Sequence, residues 1–297
     1  GASGTARVRA RAGTGTRTRV ALVVDDEGRA GMHAFRSGRV VPVRSLPLAV
    51  PAIRDLGLTE RAVWRRHYRP GMRVRALAPG VGEPVVLLSD AEGDRVLTAA
   101  GRPTGRRRVE EVVDASGLGL GELRYSVHVS GFWQVHRDGA AQLIRTVLRA
   151  ARVEPGDGVV ELYAGAGLLT QPLALAVGDS GGVWAFEGMR EATDDARANL
   201  RDLPWARVQT ASITARFARD LGGRILVADP PRSGLGRDLA STLAAGPARR
   251  IVLVSCDPAS MARDVAVMRG CGRKATFFEA VDIFPNTHHF ECVTVVE

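Results

Sequence analysis

The hydrophobic positions of this chain follow two different rhythms. Between residues 19 and 130 they come in short runs, at 19–24, 31–35, 40–43, 74–77, 85–88, 95–99, 109–113 and 122–129. Turn-forming sequence such as Asp25-Asp26-Glu27-Gly28 and Ser37-Gly38 separates them. Runs of that length bounded by Gly, Pro, Asp and Ser read as strands. Residues 49–56 and 59–64 read as short helices, with Thr59 as a cap for the second. The first rhythm therefore predicts a small β-rich domain.

The second rhythm begins at Pro155-Gly156-Asp157. Strand-like runs at 158–163, 183–186, 207–209, 225–228, 251–254, 276–281 and 292–296 alternate with helical stretches at 168–176, 191–200, 239–243 and 259–269. Ahead of them, residues 140–151 carry Leu143, Ile144, Val147 and Leu148 on one helical face. Strands and helices alternating at this spacing predict a doubly wound sheet. Ile251-Val252-Leu253-Val254 is apolar without alternation, as in a strand buried on both faces of a parallel sheet. The expected fold class is α/β: a Rossmann-like domain at 131–297, preceded by a smaller β-rich (α+β) domain at 19–130 and a flexible basic lead-in at 1–18.

Composition adds a partner to this outline. A chain of 297 residues has room for two domains, and its formal charge of +9 fits contact with a polyanion. Arg7, Arg9, Arg11, Arg17 and Arg19 have no acidic neighbour before Asp25, so the lead-in is either a solvated arm or a contact with a phosphate backbone. No stretch resembles a membrane span or the apolar core of a signal peptide. Cys256, Cys271 and Cys292 lack CxxC spacing, which suggests neither a disulfide framework nor a metal site. A cytoplasmic monomer is the default expectation.

Open α/β sheets bind ligands outside the carboxyl ends of their strands, and the candidate chemistry falls there. Glu161-Leu162-Tyr163-Ala164-Gly165-Ala166-Gly167 follows the first strand of the second rhythm, where glycines let a ligand approach the backbone. Thr170 stands in place of the third glycine of a dinucleotide-binding loop, so a single nucleoside-like cofactor such as S-adenosylmethionine fits better than a dinucleotide. Glu187 closes the second strand and can take both hydroxyls of an adenosine ribose. Asp229-Pro230-Pro231 closes the fourth with a carboxylate on a stiff turn. Helix capping is the alternative use of both acids.

Cys256, just past the fifth strand, is either a buried apolar filler or a nucleophile. A thiolate can add to an electron-poor ring carbon such as uracil C6. C5 then acquires enolate character and can attack a sulfonium methyl group, after which a base must remove the C5 proton so that the thiolate leaves. Glu291, at the start of the last strand, is the leading candidate for that base. His288 and His289 are adjacent and point in different directions, which argues against a metal. Upstream, Trp133 reads as packing. Phe132 either packs a domain junction or stacks on a planar ring, and Gln134 offers a hydrogen-bonding side chain at a cleft.

Six ordered segments, GFWQV (131–135), ELYAGAG (161–167), FEG (186–188), DPPRSGL (229–235), SCDPASMARD (255–264) and DIFPNTHHFE (282–291), resemble the RNA uracil-5-methyltransferase family. Its members are tRNA and 23S ribosomal RNA enzymes that use S-adenosylmethionine. The resemblance runs from about Arg19 to Glu297 and implies a class I methyltransferase domain. It also implies Cys256 as covalent nucleophile and Glu291 as proton acceptor. Gln134, Tyr163, Gly165, Glu187 and Asp229 become the cofactor contacts, with Asp229 also reaching the uracil. Phe132 is then expected near the target base, and Arg232 against a phosphate or orienting its loop. The expected substrate is a specific uridine of structured RNA, 23S ribosomal RNA or tRNA, flipped into the pocket. The alternatives are another S-adenosylmethionine-dependent methyltransferase, acting on cytosine C5 or a small molecule, and a non-catalytic RNA-binding protein.

The chain departs from the family's pattern at several positions. Ala164 stands where a cysteine is common, and His136 where an Asn is usual. Asp257 replaces the Asn of SCNP, where it either opposes thiolate formation or caps the next helix. Many relatives carry four cysteines for an iron–sulfur cluster in the N-terminal region. Leu46 occupies one such position here, and no such cluster is expected. The start of the chain does not resemble the small RNA-binding β-barrel common in the family. The Arg-rich segments near 7–19 and 102–108 are therefore expected to carry more of the phosphate contact.

Overall fold

A computed structural model describes residues 8–9, 13–287 and 289–297. Most of the basic lead-in, including Arg7 and Arg11, lies outside the described residues, as does His288. The chain forms two compact units: a larger one of residues 1–11, 113–126 and 139–297, and a smaller one of residues 12–112 and 127–138. The first element, β1 (Val8–Arg9), belongs to the larger unit.

The smaller unit is built on a six-stranded antiparallel sheet. Its strands are β2 (Arg19–Val24), β3 (Ala30–His33), β4 (Val40–Pro42), β5 (Arg73–Leu77), β6 (Val85–Asp90) and β7 (Gly93–Thr98), in the order β4-β3-β2-β5-β6-β7. Alternation works as the pleat requires: Val20, Leu22 and Val24 of β2 join Val74 and Ala76 of β5 in a core closed by Ile53, Leu58, Trp64 and Met72. The helices α1 (Pro51–Arg54) and α2 (Ala62–Arg65) are shorter than the sequence pattern suggests. Thr59 does not cap α2. Its hydroxyl donates to the Arg44 carbonyl at 3.1 Å, and Arg61 takes the capping position without a side-chain bond.

Arg19 also corrects an expectation. Instead of reaching for phosphate, its guanidinium is buried, donating to Glu111 Oε1 and to the Gly131 carbonyl, both at 2.9 Å. Burial lowers the pKa of Arg19 and raises that of Glu111, and their mutual attraction opposes both shifts.

Next along the chain, β8 (Arg108–Asp114) and β9 (Glu122–His128) form a two-stranded sheet, and the unit boundaries fall inside both strands. The larger unit then runs α3 (Gly139–Ala151), β10 (Gly158–Leu162), α4 (Thr170–Val177), β11 (Gly182–Glu187), α5 (Arg190–Asn199), β12 (Ala206–Thr210), α6 (Ala215–Ala218), β13 (Ile225–Ala228), α7 (Arg237–Ala245), β14 (Arg250–Ser255), α8 (Pro258–Gly270), β15 (Ala275–Val281) and β16 (Glu291–Val296). Its eight strands lie in the order β1-β15-β16-β14-β13-β10-β11-β12. All neighbours are parallel except that β16 runs antiparallel to both β14 and β15.

The strand order reverses on either side of β10, the place where open α/β sheets leave a crevice. Ile251, Val252, Leu253 and Val254 of β14 are all fully buried, as their unbroken apolar run predicts. Val160, Leu162, Leu226, Ala228, Ile251 and Leu253 pack with Leu239 and Leu243 of α7 and Met268 of α8. Glu161 alternates with Val160 and Leu162, so its side chain points to the opposite face of the sheet, beside Thr170 of α4.

Candidate active site

Strand register decides which side chains meet at the carboxyl edge. Leu162 of β10 pairs with Phe186 of β11 and Ala228 of β13, and Ala228 pairs with Leu253 of β14. Tyr163, Glu187 and Asp229 come next in register and so leave the sheet side by side. The Asp229 N–H donates to the Leu162 carbonyl at 3.3 Å, and the Ala164 N–H to the Phe186 carbonyl at 3.1 Å. Because β16 is antiparallel, its first residues arrive at this same edge. Ser255 pairs with Cys292, so one further step on each strand sets Cys256 opposite Glu291.

The glycine loop after β10 turns through left-handed backbone at Tyr163 (φ 64°), Gly165 (φ 56°) and Gly167 (φ 87°). Glycine adopts that region freely, whereas Tyr163 holds it at a cost that the surrounding bonds must offset. Glu187 supplies some of them: Oε2 accepts from the Gly165 N–H at 2.9 Å and Oε1 from the Met189 N–H at 2.8 Å. A carboxylate has about four acceptor sites, so capacity for a ligand's hydroxyls remains. Asn199, the last residue of α5, holds the loop from the other side. Its amide donates to the carbonyls of Ala166 at 2.9 Å and Ser126 at 3.2 Å, and its oxygen accepts from the Ser126 N–H at 2.7 Å. Sequence reading missed Asn199, since an Asn at a helix end carries no signal of a distant partner.

Three carboxyls around this edge are held above their ordinary range. Burial pushes Glu161 up to about 8, with the charges of Asp229 and Glu187 adding to the shift and Thr170 opposing it. Glu161 Oε2 and Thr170 Oγ1 are buried without hydrogen-bond partners among the described residues. Asp229 is partly open at the surface, yet the protein packed around its carboxyl raises it to about 7. Glu291 is buried and raised well above the carboxylate range, first by burial and then by Asp229. Sequence reading missed Glu161 as a functional residue. A carboxylate inside the apolar run Gly158–Leu162 was the signal available.

Cys256 is half-buried, and its thiol is raised by burial, then by Glu291 and Asp229, while the Arg232 charge pulls it back down. Arg232 is exposed and therefore acts on the thiol from the rim. Asp257 is a helix cap: Oδ1 accepts from the Ser260 N–H at 2.7 Å, and these bonds lower its own pKa. Of its two expected uses, capping is the one observed, and the anions raising the thiol are Glu291 and Asp229.

The larger unit thus gathers Tyr163, Gly165, Glu187, Asp229, Arg232, Cys256 and Glu291. Phe132 and Gln134 belong to the smaller unit. There Phe132 is 74% exposed, Trp133 is packed inside, and Gln134 is buried with its Oε1 lacking a hydrogen-bond partner among the described residues. No group of His, Cys, Asp and Glu among the described residues is arranged to hold a metal ion. No described helix is long and apolar enough to cross a membrane.

A glycine loop after one strand, acids at the ends of its neighbours and a reversal of strand order between them define an α/β protein with a Rossmann-like methyltransferase domain. Residues 219–297 match the family model described as tRNA (uracil-5-)-methyltransferase. Uncharacterized RNA methyltransferases of Streptomyces avermitilis and Streptomyces coelicolor are 36% and 35% identical over 293 residues, covering 94% of this chain in each case. The matches cover 66% and 63% of those relatives, so the chain spans about two thirds of their length. The chain belongs to the RNA uracil-5-methyltransferase family. The crystal structure of Pyrococcus abyssi tRNA (uracil-54, C5)-methyltransferase in complex with S-adenosyl-L-homocysteine shares its fold, with a TM-score of 0.65 and 20% identity over 96% of this chain and 77% of that one.

Proposed function

We propose that this chain transfers the methyl group of S-adenosylmethionine to C5 of a specific uridine in structured RNA. The observation that carries the reading is the Ser255–Cys292 pairing, which brings a thiol and a buried carboxyl to adjacent positions beside the glycine loop. The residues present fit the cofactor. Gly165 leaves loop backbone open to a ligand, and Glu187 keeps acceptor capacity for ribose hydroxyls. The unpartnered Glu161 Oε2, in a cluster with Asp229, suits the cationic end of such a molecule. Tyr163 and Gln134 complete the proposed set. When bound, the cofactor supplies a methyl group activated by a sulfonium.

The protein's own residues make uracil C5 reactive. The Cys256 thiol releases its proton to solvent, the thiolate sulfur bonds to C6, and the pair from the C5–C6 double bond moves onto C5 and the C4 carbonyl. Arg232 favours the thiolate needed for this attack. Once C5 carries both a methyl group and a proton, the ionised form of Glu291 takes the proton, and the raised carboxyl makes that form a stronger base. The double bond re-forms, and the C6–S bond breaks to return the Cys256 thiolate.

Charge supports RNA as the carrier of the uracil. Nineteen basic and twelve acidic residues fall in the smaller unit, which therefore holds seven of the nine net positive charges. Arg102, Arg106 and Arg107 are exposed there, available to phosphates. Phe132 offers its open ring to the target base. In this reading the enzyme works as a cytoplasmic monomer on 23S ribosomal RNA or tRNA. Base-resolved mapping of 5-methyluridine in RNA from cells with and without the gene is expected to reveal one lost position. Cys256→Ala is expected to abolish both turnover and covalent trapping by 5-fluorouridine RNA. Full turnover by that variant would overturn the mechanism.

A further inference from the structure

We propose that the hairpin of β3 and β4 is an RNA-docking finger, its tip residue Phe35 stacking on an unpaired base of the substrate. The proposal rests on the reading of the chain as an RNA methyltransferase and adds a contact surface to it. These two strands end the six-stranded sheet on the β4 side. Register pairs Met32 with Val41, so the two side chains share a face, and they are 43% and 40% exposed. Phe35, between the strands, is 82% exposed, more than any other large hydrophobic side chain described. An apolar ring held that far into water contributes almost nothing to folding and is free to meet a partner.

The tip is built rather than frayed. The Ala34 N–H donates to the Arg39 carbonyl at 2.9 Å and the Ser37 N–H to the Ala34 carbonyl at 3.0 Å. The Arg39 N–H donates to Ser37 Oγ at 3.1 Å, and His33 Nδ1 lies 3.2 Å from the Gly38 carbonyl. Arg36 takes a left-handed backbone (φ 51°), unusual for a residue with a side chain, and its guanidinium sits 5.1 Å from the centroid of the Phe35 ring. The finger thus presents a flat aromatic ring already backed by a cation.

Charge identifies the partner. Arg29 is ion-paired with Asp25 and Glu27, but from Ala30 through Ile53 the chain carries Arg36, Arg39 and Arg44 and no acidic residue. Arg36 and Arg39 are exposed. A stacking ring set among unbalanced cations fits a single-stranded nucleic acid, whose bases take the ring and whose phosphates take the arginines. A second copy of the same finger would bring like charges together.

The test measures binding of tRNA and 23S ribosomal RNA transcripts to the chain across a salt series. Phe35→Ala is expected to weaken binding of the preferred transcript by roughly 5- to 100-fold while leaving the salt slope unchanged. Phe35→Trp is expected to retain it. Arg36→Gln with Arg39→Gln is expected to make the salt slope shallower by about 1.4, two released counterions at a single strand. Melting temperature checks that the exposed substitutions leave the fold alone. Wild-type affinity in Phe35→Ala overturns the proposal, as does an effect of Phe35→Ala confined to self-association in sedimentation or to binding of anionic lipid vesicles. A wild-type chain that binds RNA through Phe35 yet methylates no uridine would sink the enzymatic reading and leave the finger standing.

Discussion

The Leu235 N–H donates to Oδ2 of Asp264 at 2.6 Å and so fastens the end of the DPPRSGL segment to the helix that starts just after Cys256. Asp264 is fully buried, and its Oδ1 accepts from the Gly236 N–H at 3.2 Å. Arg263 beside it donates to the Ser233 carbonyl at 2.5 Å. Gly234 makes this approach feasible, with φ at +73° and the Asp264 carboxylate 2.3 Å from where a Cβ would stand. The turn that carries Asp229 and the helix that follows the thiol are therefore held by one buried side chain.

Replacing Asp264 with alanine is expected to leave two backbone donors unpaired in a closed site, at a cost of about 2–4 kcal/mol. Urea unfolding of Asp264→Ala against wild type measures it. Asp264→Asn keeps one acceptor and is expected to lose about half as much. A midpoint unchanged in both variants would show that the loop is held by other contacts.

Glu291→Gln separates attack from release. The amide fills the same buried space without the charge, so the fold is expected to hold. It cannot take the C5 proton, and the proposed outcome is a stable protein–RNA adduct carrying the new methyl group. Denaturing electrophoresis with methyl-labelled cofactor detects it. Free methylated RNA released at the wild-type rate would remove Glu291 from the mechanism.

Arg232 and Cys256 make a pH prediction. Burial, Glu291 and Asp229 raise the thiol, and Arg232 alone among these lowers it. The attacking species is the thiolate, so rate rises with pH until the thiol has titrated. Arg232→Gln removes the opposing charge and is expected to move that rise to higher pH. Because Arg232 is exposed, solvent screening weakens its hold on the thiol, so the move is expected to be small and to shrink further with added salt. Alkylation of Cys256 against pH, followed on its own peptide by mass spectrometry, reads the shift without turnover. A rise moved to lower pH would contradict the assignment.

Much of this edge was legible in the sequence because parallel strands buried on both faces are apolar runs that stop abruptly. Glu187, Asp229 and Cys256 each mark such a stop, and the structure sets them where the runs end. The antiparallel register of β16 was less legible, because residues 282–290 intervene and only pairing with β14 and β15 decides that Glu291 faces Cys256. Arg19 was misread for a related reason. A run of arginines looks solvated, and the carboxylate that buries this one lies 92 residues away. The Asp264 bonds and the Asn199 brace are likewise tertiary, joining segments whose local sequence gives no hint of each other.

Glu161 offers the sharpest separation of stability from binding. Its carboxyl sits at about 8 in the folded chain, far above its value in an unfolded one. Between the ordinary carboxylate range and pH 8 the folded chain holds a proton that the unfolded chain has released. This contribution is fully present below the unfolded value and is lost as pH rises through 8. Glu161→Gln keeps the shape without the ionisation, so its unfolding free energy should exceed wild type at pH 9 by on the order of 5 kcal/mol. Near pH 4 the two chains should be alike. Cofactor binding should move the other way, since a cation near Oε2 favours the ionised acid. Wild-type affinity for S-adenosylmethionine is expected to climb with pH toward 8, and Glu161→Gln is expected to bind more weakly with that climb removed. Urea unfolding and calorimetric binding at pH 6 and pH 9 provide the four comparisons. If Glu161→Gln bound the cofactor as tightly as wild type at pH 9, the buried carboxylate would have no part in holding it.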